Sequence, residues 1–207
     1  MEKNMENYQG RYIEYLERFA SSNKIHIYLG GSFLRGNATP FSDVDVSAYC
    51  GQDKIRDLVY GYGEPVFISG TTKPEGILIV IYEDGVAADL EIIGEIDESR
   101  DIFFHREDIK EHLYKRDESI WRTVSLRDDI PYRMSRLFHR SLIKYLAGKK
   151  DLGISVANEI VDYLGADIPI DDKNYRKGIE EALNVFGERY PVDGGYREIL
   201  VKLIGMT

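Results

Sequence analysis

Residues 24–50 read KIHIYLGGSFLRGNATPFSDVDVSAYC, and the predicted fold of the chain depends on this segment. The pattern predicts a strand, a glycine turn, a short helical segment, a loop and a second strand. Alternate residues of a strand point to one face, so Asp43 and Asp45 share a face while the valines after them point to the core. Two adjacent carboxylates repel each other unless a cation lies between them. The pair therefore indicates a site for a hard divalent ion such as Mg²⁺, with water and substrate phosphates as further ligands.

The glycine turn ahead of the aspartates predicts an anion site. Gly30 and Gly31 follow the apolar residues of the first strand, and Ser32 comes next. Glycines allow the backbone to approach a ligand closely and to adopt positive φ. Backbone N–H groups at such a turn, which opens into a helix start, suit an anion such as phosphate. The segment thus combines a metal-ligand pair with a phosphate cradle, which is what the transfer of a nucleotide requires.

These motifs resemble the signature of the nucleotidyltransferase superfamily typified by DNA polymerase beta. The signature is the Gly30-Gly31-Ser32 turn, Gly36 four residues after the serine, and an acid–x–acid strand, here Asp43 to Asp45. The superfamily includes aminoglycoside and lincosamide nucleotidyltransferases and the small minimal nucleotidyltransferases. The match is specific because three features coincide in order and in distance.

The resemblance implies a third carboxylate on the strand next to the acid pair. Residues 86–93 predict that strand, and on it Asp89 and Glu91 share one face. Both acids stand between apolar residues. Asp89 is preferred because the Leu-Glu-Ile-Ile that follows it has the apolar, polar, apolar, apolar order of the resembling enzymes. Glu91 stays open as the alternative.

The resemblance also implies a two-metal mechanism with two Mg²⁺ ions. Asp43 and Asp45 would bridge the ions, and Asp89 would hold the one nearer the acceptor and help to take up its hydroxyl proton. The metal ligands and catalytic residues predicted on this basis are therefore the three aspartates.

The resemblance further implies ligands for the triphosphate. Gly31 and Ser32 would cradle the β- and γ-phosphates, and Arg35, one turn into the following helix, would reach the same phosphates. Lys144 resembles the helical lysine that such enzymes place near the triphosphate. Its rivals in the same region are Arg140 and Lys149.

Composition limits the classes of partner. The chain has 207 residues, a net charge of −9 and one cysteine, Cys50, so it forms no intrachain disulfide. With no long apolar run and no apolar signal core near the start, these features predict a cytoplasmic protein without membrane spans. The acidic balance disfavours nucleic acid as a partner and is compatible with a cationic acceptor.

The predicted fold class is α+β, with a mixed-sheet nucleotidyltransferase core at residues 1–97 and a helical substrate-binding or support domain at 98–207. A tight Asp-Gly hairpin at Glu83-Asp84-Gly85 makes the sheet mixed rather than purely parallel. Predicted strands besides the aspartate strand lie at 24–29, 66–69, 76–82 and 86–93. Predicted helices lie at 2–22, 54–61, from about 106, and at 132–147, 152–164, 171–188 and 194–204.

The predicted function is transfer of a nucleoside monophosphate from ATP or another nucleoside triphosphate to an acceptor hydroxyl, with Mg²⁺. A small-molecule acceptor is preferred to a protein acceptor, the substrate of antitoxin-type minimal members, which are generally shorter. A catalytically silent nucleotide-binding module is the non-enzymatic alternative. Enzymes that resemble this chain sometimes complete their clefts with a second subunit, so a homodimer stays open.

Overall fold

A computed structural model describes most of the chain. The described residues are 8–70, 77–93, 103–105, 127 and 129–207, without the side chains of Gln52 and of residues 103–105. Within them the helices are α1 (Tyr8–Asn23), α2 (Gly31–Leu34), α3 (Gln52–Tyr60), α4 (Ile130–Leu146), α5 (Lys150–Leu164), α6 (Tyr175–Arg189) and α7 (Gly194–Ile204). The strands are β1 (His26–Leu29), β2 (Val44–Tyr49), β3 (Pro65–Gly70), β4 (Ile77–Tyr82), β5 (Ala87–Ile92) and β6 (Phe103–His105). None of these helices is long and apolar enough to cross a membrane.

The chain divides into two compact units, Met1–Leu126 and Arg127–Thr207. The predicted domain boundary between residues 97 and 98 falls in the segment 94–102, outside the described residues, and stays a prediction. The helix predicted from about residue 106 also falls outside them, as does the start of the helix predicted at 2–22.

The first unit contains a mixed sheet whose strand order is β3-β4-β5-β2-β1-β6. Strands β2 and β5 are parallel neighbours, as are β1 and β6, while the other neighbouring strands are antiparallel. The α+β class and the mixed sheet are therefore confirmed.

One face of this sheet carries the core of the first unit. Val44 and Val46 of β2 are almost completely buried in the same cluster as Tyr12 and Leu16 of α1 and Leu58 of α3. Because side chains alternate along a strand, burying the valines turns the intervening Asp45 to the opposite face. Asp45 therefore lies on the face of the sheet opposite to this core.

The predicted hairpin joins β4 to β5. Tyr82 N–H donates to the carbonyl oxygen of Val86 at 2.9 Å, and Gly85 has a φ of +89°. Glycine adopts this left-handed conformation at little cost, which is why an Asp-Gly turn closes a tight hairpin. The hairpin places β5 between β4 and β2 in the sheet.

The second unit consists of helices α4 to α7. Ser141 Oγ on α4 donates to the carbonyl oxygen of Gly153 on α5 at 2.7 Å and lies 2.6 Å from the hydroxyl of Tyr175 on α6. The rings of Tyr145 and Tyr175 stack with their centroids 3.7 Å apart. These contacts join three helices at one point.

Helix α6 begins four residues later than predicted, at Tyr175 instead of 171. Asp171 Oδ1 accepts hydrogen bonds from the N–H groups of Lys173 and Asn174, and Asn174 Oδ1 accepts one from Asp171 N–H. Such side-chain bonds give the backbone an alternative to the helix. The acidic segment therefore forms a turn ahead of α6.

Replacement of Gly153 by alanine is expected to destabilise the second unit by about 1–3 kcal/mol. A β-carbon at this position would lie 2.8 Å from Tyr145 Cβ and 2.9 Å from the carbonyl oxygen of Ser141, so α4 and α5 would have to separate. Gly187→Ala is the matched control, because in the described part of the chain, beyond its own helix backbone, its β-carbon would meet only the flexible end of Arg197, at 3.3 Å. Chemical denaturation of both variants tests this; equal free energies of unfolding would contradict it.

Candidate active site

The site is built around a pair of aspartates on neighbouring parallel strands. In the register between β2 and β5, Asp45 and Asp89 are Cα partners. Neighbouring strands lie about 4.8 Å apart, so these two side chains leave the same face of the sheet side by side. Both residues are half-buried. The expectation that the strand of Asp89 lies next to the strand of the acid pair is confirmed.

The glycine turn is held directly against one of these carboxylates. Gly30 N–H donates to the carbonyl oxygen of Asp45 at 2.9 Å, which ties the turn to β2. Gly31 has a φ of +60°, and a β-carbon built on it would lie 1.6 Å from Asp45 Oδ2. Only glycine can occupy this position, because of its left-handed backbone and because the carboxylate fills the space of a side chain.

Ser32, the next residue, has a hydroxyl that suits an anion. Its Oγ is buried, and among the described residues it has no hydrogen-bond partner. An unsatisfied buried polar atom costs about 1–3 kcal/mol, which a ligand can recover. A hydroxyl that can donate, next to a carboxylate pair, fits a phosphate oxygen accompanied by a divalent cation.

Asp43 lies immediately before β2 and is half-buried. The turn ahead of it is closed by Ser42, whose Oγ accepts a hydrogen bond from Thr39 N–H at 2.8 Å. This agrees with the expectation that Ser42 is a turn residue and not a ligand. In the described part of the chain no three His, Cys, Asp or Glu side chains form a cluster that could hold a metal ion. The convergence of Asp43 with the other two aspartates on one ion therefore stays a prediction.

The alternative acid, Glu91, has a different environment from Asp89. Only 4% of Glu91 is exposed, and its Oε2 accepts a hydrogen bond from Ser47 Oγ at 2.8 Å. Ser47 is its Cα partner on β2, as Asp45 is the partner of Asp89. The sequence reasoning missed Ser47, although its position two residues after Asp45, on the same face of a strand, could have identified it.

The basic residues predicted to bind phosphate lie in different units. Arg35 directly follows α2 and is exposed, whereas Lys144 is half-buried in the last turn of α4 in the second unit. The rivals Arg140 and Lys149 are both exposed. The roles of all four stay predictions.

Comparison with known proteins identifies the class of this chain. Residues 11–130, more than half of the chain, match the nucleotidyltransferase domain family, so the chain belongs to that family. It is therefore an enzyme of the nucleotidyltransferase class, as the motif predicted.

Among solved structures, the chain is similar to one described as a STING-associated CdnE c-di-GMP synthase from Capnocytophaga granulosa. The identity is 12%, the similarity covers 95% of this chain and 81% of the other, and the TM-score is 0.30. That score is too low for an argument about fold or function. A comparison with curated proteins found no match.

Proposed function

We propose that this nucleotidyltransferase moves a nucleoside monophosphate from a nucleoside triphosphate, with ATP the first candidate, to a hydroxyl group of a small molecule, with Mg²⁺ as the cofactor. The observation that carries this proposal is the register of β2 and β5, in which Asp45 is the partner of Asp89. The contact between Gly31 and the Asp45 carboxylate supports it, since it brings the phosphate-binding turn to the acid pair.

The acid pair is what a divalent cation needs from the protein. Mg²⁺ is usually held by one or two carboxylates together with substrate phosphates and water, so Asp45 and Asp89 would hold it, with Asp43 completing the set. Bound Mg²⁺ supplies charge neutralisation at the phosphates and stabilises the attacking and leaving oxygens. Two carboxylates on adjacent strands also repel each other, and a cation bound between them relieves that repulsion.

The remaining groups would orient the two substrates. Ser32 Oγ would donate to a β- or γ-phosphate oxygen, while Arg35 and Lys144 would add positive charge at the triphosphate. The acceptor oxygen forms a bond to the α-phosphorus of the nucleoside triphosphate. The bond between the α-phosphorus and the oxygen that bridges the α- and β-phosphates breaks, and pyrophosphate leaves. Asp89 would accept the proton of the acceptor hydroxyl.

The choice of a small-molecule acceptor rests on length, because antitoxin-type members are generally shorter than 207 residues, and on charge. The net charge of −9 works against extended binding to nucleic acid phosphates and is compatible with a small cationic acceptor. Protein adenylylation and silent nucleotide binding remain the alternative outcomes of the test below.

The experiment is incubation of the protein with Mg²⁺, α-phosphate-labelled nucleoside triphosphates and a panel of acceptors. The panel contains hydroxyl-bearing small molecules, neutral and cationic, and a protein mixture. The proposal expects label on a small molecule together with release of pyrophosphate, both lost on addition of EDTA. Label on protein alone would assign the antitoxin-type activity, and nucleotide binding without transfer would indicate the silent module.

Ser32→Ala is expected to raise the KM for the nucleoside triphosphate about tenfold or more, because a hydrogen bond to a charged group contributes about 1.5–3 kcal/mol. The same change removes a buried hydroxyl that has no partner among the described residues, so the free energy of unfolding without ligand should not fall. Steady-state kinetics and denaturant titration of one preparation measure both quantities. An unchanged KM would exclude Ser32 from the phosphate site.

A further inference from the structure

Directly behind the acid pair, the same face of the sheet carries a second pair of polar residues. Ser47 and Glu91 are Cα partners, two residues beyond Asp45 on β2 and Asp89 on β5. Two residues along a strand span about 6.6 Å, so the two pairs are successive rows on one face. None of the Ser47 surface and only 4% of that of Glu91 is exposed, and the 2.8 Å hydrogen bond between them joins the two strands.

Stability alone does not require this arrangement. A buried carboxylate is destabilising unless hydrogen bonds compensate it, and apolar residues of similar shape would fill the same space at no electrostatic cost. The neighbouring strand positions on the core face, Val46, Ala48, Leu90 and Ile92, are all apolar. The polar pair therefore lies on the face that carries Asp45 and Asp89, and not on the core face, which points to a role in the site of these two aspartates.

We propose that Ser47 and Glu91 are positioning residues for the cation site formed by Asp45 and Asp89, an inference that rests on the proposed function. Backbone pairing sets the distance between β2 and β5, and the hydrogen bond between Ser47 and Glu91 fixes the side chains in the row behind the acid pair. The Asp45 and Asp89 side chains would then stand against an ordered polar row, which limits the positions that their carboxylates can take. The same hydrogen bond holds the Glu91 carboxylate against β2, in the row behind Asp45 and Asp89. Groups that hydrogen-bond directly to metal ligands typically contribute 10–100-fold to metal affinity, so a pair that acts through the neighbouring row is expected at the lower end of that range.

The test measures Mn²⁺ binding to the nucleotide-free protein, by electron paramagnetic resonance of the free ion. Ser47→Ala is expected to weaken Mn²⁺ binding about tenfold. The decisive variant is Ser47→Ala combined with Glu91→Met, which replaces both hydrogen-bonding partners by apolar groups. Replacing both partners of a hydrogen bond costs less stability than leaving one of them unpaired. This double variant should therefore bind Mn²⁺ weakly, and denaturant titration of the same preparation shows whether its fold is retained.

Ser69→Ala is the matched control, because Ser69 is a serine of the same sheet, 1% exposed, on β3 two strands away from Asp89. It should bind Mn²⁺ like wild type. A double variant with both wild-type stability and wild-type Mn²⁺ affinity would overturn the inference, since the pair would then be structural only. If wild type bound Mn²⁺ no better than Asp45→Asn, the proposed function would fail, and this inference with it.

Discussion

Asp45→Asn is expected to lower the rate of nucleotidyl transfer about 1,000-fold, which corresponds to about 4 kcal/mol of transition-state stabilisation. The Asp45 side chain stands beside that of Asp89 and in contact with the Gly31 turn, so its charge is central to the proposed cation site. Asparagine keeps the shape of the side chain and removes the charge. Pyrophosphate release at saturating Mg²⁺ and nucleotide measures the effect.

The same variant should fold as well as wild type. Like charges on adjacent strands are destabilising, so removing one of them should leave the free energy of unfolding without metal unchanged or raise it slightly. Asp53→Asn, an exposed acid in the first turn of α3, is the control and should keep full activity. Full activity in Asp45→Asn would refute the assignment of this carboxylate.

Gly31→Ala is expected to lower activity about 100-fold or more, because a displacement of about 1 Å at a reacting geometry can cost that much. Its β-carbon would lie 1.6 Å from Asp45 Oδ2, so either the turn or the carboxylate has to move. The φ of +60° adds a backbone cost of about 1–2 kcal/mol for a residue with a side chain. Steady-state kinetics and thermal unfolding measure the two effects.

Gly85→Ala separates the effect of the left-handed backbone from the effect of the clash with the Asp45 carboxylate. Gly85 lies in the same unit and also has a positive φ, +89°, but a β-carbon there would meet no atom of the described residues within 4 Å. It should lose stability through its backbone and keep its activity. If both variants lost activity equally, the contact between Gly31 and Asp45 would have no functional meaning.

Much of the first unit could be predicted from local patterns. The alternation of residues in β2 and the apolar run of β4 identify strands, and the Asp-Gly turn identifies the hairpin, because each pattern reflects the backbone geometry of a few consecutive residues. Strand β6 was not predicted. It has three residues, Phe103–His105, and pairs with β1 from a distant part of the sequence, so no local periodicity marks it.

The candidate active site likewise combines features that the sequence predicts with features that only the fold decides. Residue order and spacing were enough to identify the glycine turn and the acid pair. The family resemblance gave two candidates for a further carboxylate and preferred Asp89 to Glu91. Order and spacing alone could not say which candidate stands opposite Asp45, since register is set by pairing between strands more than 40 residues apart in the chain. The fold places Asp89 there, gives Glu91 to Ser47 and buries the Ser32 hydroxyl without a partner in the described residues. The sequence by itself therefore determines which acidic and polar side chains are available and how they are spaced along the chain. Only the pairing of the strands in the tertiary structure decides which of them are neighbours.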